Sequence, residues 1–206
     1  MKKVIRYIIS ACLLMAFAAP AVKAQSVKMS PIILVGAPNL QYEQAFSRRI
    51  TANIDAFWLP WLFKKNEEVF RVMELAGEVR YYIKESGRTD MSMPSGLYAG
   101  VYAMYGQFNI GMLKNNDLEQ SYRDKGWAMS AGVSVGYKVP INARWAIDAN
   151  LGLGFAHLQW DKYKLGGFYA DYPLQTKKTR LWIGPTRFNI AVVYNIPPDM
   201  FRWKHK

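Results

Sequence analysis

The chain has 206 residues, with 27 Lys and Arg against 15 Asp and Glu, and a formal charge of +12. Its length suits one domain, and its single cysteine excludes an internal disulfide framework. The basic excess admits nucleic acid, anionic lipid headgroups or lipopolysaccharide phosphates as counter-charge.

The N-terminus narrows that choice. Lys2, Lys3 and Arg6 precede an apolar stretch from Tyr7 to Ala19, Pro20 breaks it, and Val22-Lys23-Ala24 offers a small-residue cleavage site. This is the layout of a secretory signal, with residues 1–24 removed and residues 25–206 left as one domain. The apolar core is shorter than the ~20 residues of a spanning helix. Removal takes away the only cysteine, Cys12, and with it thiolate metal sites and cysteine nucleophiles. Losing Lys2, Lys3, Arg6 and Lys23, with no acid, lowers the charge from +12 to +8. An exported chain seldom meets nucleic acid, so no nucleic-acid partner is expected.

Eight strands are predicted, at 30–37, 39–47, 50–62, 69–84, 97–112, 127–139, 144–160 and 180–196. The third sets Ile50, Ala52, Ile54, Ala56 and Trp58 against Thr51, Asn53, Asp55 and Phe57. In the fourth, Met73, Leu75, Val79, Tyr81 and Ile83 oppose Glu74, Glu78 and Arg80. The sixth alternates Trp127, Met129, Ala131, Val133, Val135, Tyr137 and Val139 with Ala128, Ser130, Gly132, Ser134, Gly136 and Lys138. The seventh alternates Trp145, Ile147, Ala149, Leu151, Leu153 and Phe155 with Ala146, Asp148, Asn150, Gly152 and Gly154. The eighth carries Trp182, Gly184, Thr186, Phe188, Ile190, Val192, Tyr194 and Ile196 on one parity, and Arg187, Asn189 and Asn195 on the other. Period-two alternation places these sets on opposite faces of a sheet.

Such a sheet packs its apolar face inward in water and outward in an outer membrane. The strands match the ~9–11 tilted residues that cross a bilayer. The polar face is rich in glycine, alanine and serine, as a narrow lumen requires. The expected fold is therefore an eight-stranded antiparallel up-and-down transmembrane β-barrel of outer-membrane type. Short turns at 47–49 and 140–143 would face the periplasm, and long loops at 113–126 and 161–179 the exterior. Trp58, Trp61, Trp127, Trp160, Tyr163 and Trp182 are expected in an outer aromatic girdle. Phe46, Tyr81, Tyr82, Tyr98, Tyr137, Trp145 and Tyr194 would form an inner one. Glu43, Asp55, Glu74, Glu78, Arg80, Lys138, Asp148 and Arg187 point inward and are expected to pair across a closed lumen.

Several blocks add a resemblance. Ala37-Pro38-Asn39-Leu40, Gly132-Val133-Ser134-Val135-Gly136-Tyr137, Arg144 to Ala149, Leu151 to Phe155 with Asp161-Lys162-Tyr163, and Gly184-Pro185-Thr186 together resemble a domain-of-unknown-function family of exported proteins. That family is abundant in Bacteroidetes, is regarded as outer-membrane-barrel-like, and has some members encoded near fimbrial or surface-adhesin genes. The resemblance spans most of residues 30–196. It implies a fold, an outer-membrane location and a surface or fimbrial protein partner, and it brings no active site.

No catalytic residue, metal site or cofactor is expected. Gly152-Leu153-Gly154 lacks the helix and third glycine of a dinucleotide fingerprint. Asp161 and Asp171 lack further oxygen ligands at fixed spacing. The basic run Lys177-Lys178-Thr179-Arg180 suits lipopolysaccharide phosphates. The leading expectation is a structural or surface-interaction barrel among outer-membrane lipid and lipopolysaccharide. One alternative is a soluble periplasmic β-barrel with a hydrophobic ligand. Another is a lipid-modifying enzyme using His157, whose same-face neighbours Phe155 and Gln159 offer no nucleophile–base set.

Overall fold

The computed structural model describes residues 24–63, 68–85, 93–114, 117–165 and 172–196. They form one antiparallel sheet in which every strand pairs with its sequence neighbours, and β1 pairs with β8 to close a barrel. The strands are β1 Ala24–Met29, β2 Asn39–Ala45, β3 Ile50–Phe63, β4 Glu68–Glu85, β5 Gly96–Lys114, β6 Asp117–Pro140, β7 Trp145–Lys164 and β8 Pro173–Ile196. Among the described residues there is no α-helix. Residues 1–23 of the expected export signal and residues 197–206 lie outside the described residues, while Ala24, the expected last residue of the signal, begins β1.

The first strand differs from expectation. Residues 30–37 are not a strand: Pro31–Val35 form a 3-10 turn, η1, with Pro31 at its start and Gly36 closing it at φ 79. The physical reason is local. Pro31 has a fixed φ and no N–H to give a ladder, and an unbroken apolar run has no polar face to turn inward. The strand instead lies just before it, where Ala24, Ser26 and Lys28 are buried and Met29 is exposed. Gln25 to Met29 pair with Val192 to Ile196 of β8.

The two long loops are also shorter than expected. Most of 113–126 and 161–179 is strand, because β5 runs to Lys114, β6 starts at Asp117, β7 reaches Lys164 and β8 starts at Pro173. Charged side chains disguised them, yet a ladder with two wet faces needs no apolar stripe. The hairpins are laced by opposite charges in register, Lys125 with Asp161 and Asp124 with Lys162. Cations also sit over rings there, Lys162 4.5 Å from the Tyr122 centroid and Arg123 5.2 Å from Tyr163. Such cross-strand pairs are the stabilising unit of a sheet. At ~3.3 Å per residue, the 24 residues of β6 far exceed the ~25 Å apolar band of an outer-membrane barrel.

The faces sort as the alternation requires, with the sense of a soluble protein inverted. Val101, Val133, Phe155 and Phe188 are more than half exposed, whereas Lys28, Glu43, Arg80, Lys138 and Asp148 are fully buried. One parity error interrupts this. A β-bulge at Thr186 shifts the β7–β8 register, so that Gly152 faces Arg187 but Leu153 faces Pro185. Bulges of this kind add one residue and re-aim the side chains beyond it. Leu181 and Ile183 therefore carry the outer face before the bulge, and Trp182 and Thr186 line the inner cavity with Ala128 and Ala156.

Small residues make room for the interior. A Cβ at Gly136 would fall on the ring and hydroxyl of Tyr98, and within 2.7 Å of the Ala149 carbonyl oxygen. Gly136→Val should lower barrel stability by about 1–3 kcal/mol through overpacking. The outward Val135→Leu should stay within ~0.5 kcal/mol. The urea midpoint of each purified variant checks this, and equal midpoints would show that Tyr98 yields freely.

Candidate functional site

Every strand lends a polar side chain to one cluster inside the barrel. Asp148 of β7 is its first hub. Its Oδ2 accepts from Lys28 Nζ of β1 and Arg80 Nη1 of β4, both at 2.6 Å, and its Oδ1 accepts from the Tyr98 hydroxyl of β5 at 2.6 Å. Glu43 of β2 is the second. Its Oε2 lies 2.8 Å from Lys28 Nζ and 2.5 Å from Lys138 Nζ of β6. Its Oε1 accepts from Thr51 Oγ1 at 2.6 Å and from the Tyr82 hydroxyl at 3.1 Å.

The cluster then rises through Glu78, which accepts from Arg80 Nε at 2.8 Å, from Asn150 Nδ2 at 2.9 Å and from Ser134 Oγ. Above it, Arg187 of β8 pairs with Asp55 of β3 at 3.1 Å, and Asn39 donates to the other Asp55 oxygen at 3.2 Å. Arg80 lies 4.5 Å from the Tyr98 ring centroid, Lys138 5.3 Å from Tyr82, and Arg187 5.7 Å from Tyr102. Charges in a water-poor space persist only when paired and hydrogen-bonded, and here each hub has several partners.

Seven of the eight inward charges read from the sequence meet in this cluster: Glu43, Asp55, Glu78, Arg80, Lys138, Asp148 and Arg187. Glu74 does not. It faces inward higher up, bordering the cavities above the cluster, and makes no hydrogen bond or ion pair with a described residue. Lys28 is the member that sequence reasoning missed. A clue was present, because the eight expected charges comprise five acids and three bases. Exchanging Glu74 for Lys28 leaves Glu43, Asp55, Glu78 and Asp148 facing Lys28, Arg80, Lys138 and Arg187, four of each sign.

The aromatic expectations divide. Trp58 is on the outer face, and Trp127 shares the outward register of Met129 and Val133, its ring 5.6 Å from that of His157. Trp145 and Tyr194 are cross-strand neighbours at the short-turn end, with ring centroids 5.0 Å apart and edges on. Trp61 is a correction: it shares the inward parity of β3 with Leu59, and its Nε1 is 3.6 Å from where a Gly36 Cβ would stand. Trp182 is another, turned inward by the bulge. Tyr82 and Tyr98, expected in the inner girdle, are fully buried in the ion cluster instead, because each shares parity with a lumen residue of its own strand.

Chemically, the cluster is a neutral set of matched charges, four acids against four bases. No group of three His, Cys, Asp or Glu poised for a metal occurs among the described residues. His157 is exposed on the outer face beside Trp127.

The class that fold and interior define is thus an all-β protein whose eight antiparallel strands close into a ring around buried ion pairs. The chain belongs to the family described as Protein of unknown function (DUF3575), whose model matches residues 7–196. Neither the curated proteins nor the solved structures contain a match.

Proposed function

We propose that the protein is a small outer-membrane barrel, delivered by a cleaved signal ending near Ala24, with a structural or surface-interaction role. One observation carries the reading: large apolar side chains cover the outside while the charges are buried within. Val133, Leu153 and Phe155 are each more than half exposed, on strands whose inner parity holds Asp148 and Lys138 at zero exposure. In water that arrangement wastes apolar burial and incurs charge desolvation. In a bilayer it is the required one.

The plug closes the lumen to ions, so the hairpins at the other end are the parts offered to partners. That end carries the tips of the β5–β6 and β7–β8 hairpins, with exposed Lys177 and Arg180 available to lipopolysaccharide phosphates. A surface or fimbrial protein is the partner class that the family resemblance suggests. A soluble barrel holding a hydrophobic ligand would need an apolar interior, which these matched charges do not provide.

The test is gel mobility of the full chain from outer-membrane fractions, with and without boiling, followed by planar-bilayer recording. A faster unboiled band and no large single-channel conductance are expected. Release by osmotic shock without a mobility shift would refute the membrane reading, and large stable conductance would refute the plug.

A further inference from the structure

The wall of the barrel is incomplete on one side. β1 meets β8 only from Val192 to Ile196, and β2 meets β3 only up to Phe57. Beyond those points β8 and β3 each have a single strand neighbour, and the gap between them is spanned by η1. Non-ladder backbone at membrane depth is tolerated where it is covered or lines a cavity. The side chains of η1 are apolar, with Leu34 86% exposed and Pro31 and Ile32 turned to the cavity behind.

Behind η1 is a cavity of about 540 Å³ that passes through this wall. Its lining includes the lumen residues Asp55, Glu74 and Arg187 and the outer-face residues Phe188 and Ile190. A second cavity of about 350 Å³ shares Glu74, Met104 and Thr186 with it and adds Leu158, Trp182 and Arg180. These volumes are in the range of small-molecule sites.

Two charged side chains here have bonding capacity that the ion cluster does not use. Glu74 is the inward acid left out of the plug. Arg187 is 6% exposed and uses Nη2 on Asp55, while its Nε and Nη1 have no hydrogen-bond partner. A buried guanidinium edge without an acceptor is costly, and its planar fork suits phosphate.

We propose that this cavity seats one phosphoethanolamine lipid, admitted sideways from the bilayer between η1 and β8. The phosphate sits against Arg187, with Arg180 beyond it. The amine lies against Glu74, and the acyl chain leaves through the gap over Phe188 and Ile190. The site rests on the membrane reading above, since only a bilayer presents the lipid at that opening.

The test is native mass spectrometry of the full chain in detergent micelles, titrated with palmitoyl lysophosphatidylethanolamine and palmitoyl lysophosphatidylglycerol. A one-to-one adduct is expected with the amine lipid, and about tenfold weaker binding with the glycerol lipid. Glu74→Gln, outside the plug, should erase that preference. Met104→Trp, filling the junction of the cavities, should remove the adduct. Unboiled gel mobility is read on the same samples. A folded barrel without an adduct, equal adducts from both lipids, or unchanged preference in E74Q overturns the site and leaves the membrane reading standing. Loss of the mobility shift in the unmodified chain overturns both.

Discussion

Replacing Asp148 with alanine is expected to destabilise the barrel by about 3–5 kcal/mol, the range for breaking a buried ion pair from one side. Asp148 is fully buried and accepts from Lys28, Arg80 and Tyr98, each at 2.6 Å. Without it, two cations share a dry space with one fewer counter-charge. The damage should be strongly non-additive. Lys28→Met in the Asp148→Ala background restores charge balance, so the double variant should recover part of the loss. Urea titration, read as the fraction of protein keeping the folded unboiled mobility, measures Asp148→Ala, Lys28→Met and the double variant. If Asp148→Ala stays within ~1 kcal/mol of the unmodified chain, water reaches the cluster and the interior is not a dry plug.

Val133→Arg should have the second largest effect and tests the opposite face. Val133 is 61% exposed and sits midway along β6 between Val101 and Leu153, themselves 59% and 52% exposed. If lipid covers this surface near mid-depth, an arginine there costs about 2–4 kcal/mol. If water covers it, the change stays within ~0.5 kcal/mol. The measurement is again the urea midpoint, made in lipid vesicles. A silent substitution would argue that the apolar belt faces water or a protein.

How far the sequence discloses this molecule depends on the stretch. In β6 and β7 each outward aliphatic alternates with a small or polar residue, so the faces and Lys138 and Asp148 are legible at once. In β8 the same alternation misleads, because one added residue at Thr186 exchanges the faces and period-two counting cannot see a bulge. The clue is compositional: Gly184-Pro185 interrupts the strand where a ladder donor is missing. β1 is hidden for another reason. Six residues are too few for a periodicity argument, and they adjoin the export signal read at the N-terminus. Lys28 was legible only through the charge balance of the interior, a quantity no single strand displays. The unpartnered Glu74 is visible as an inward acid, but its separation from the plug depends on height along the barrel, which parity does not encode.

The closing seam has a consequence for the order of events during assembly. Gln25 pairs with Ile196 and Met29 with Val192, so the first strand must wait for the last before either edge is covered. Contacts of such wide sequence separation form slowly. The strand that waits also carries Lys28, which bridges Glu43 and Asp148 at 2.8 and 2.6 Å. An unclosed chain therefore holds four acids against three bases around its future axis, with an open β8 edge beside them. Docking of β1 removes the surplus charge and covers the Val192–Ile196 stretch of the β8 edge in one step. Strand closure and charge neutralisation of the interior are thus one event, since both depend on the placing of β1.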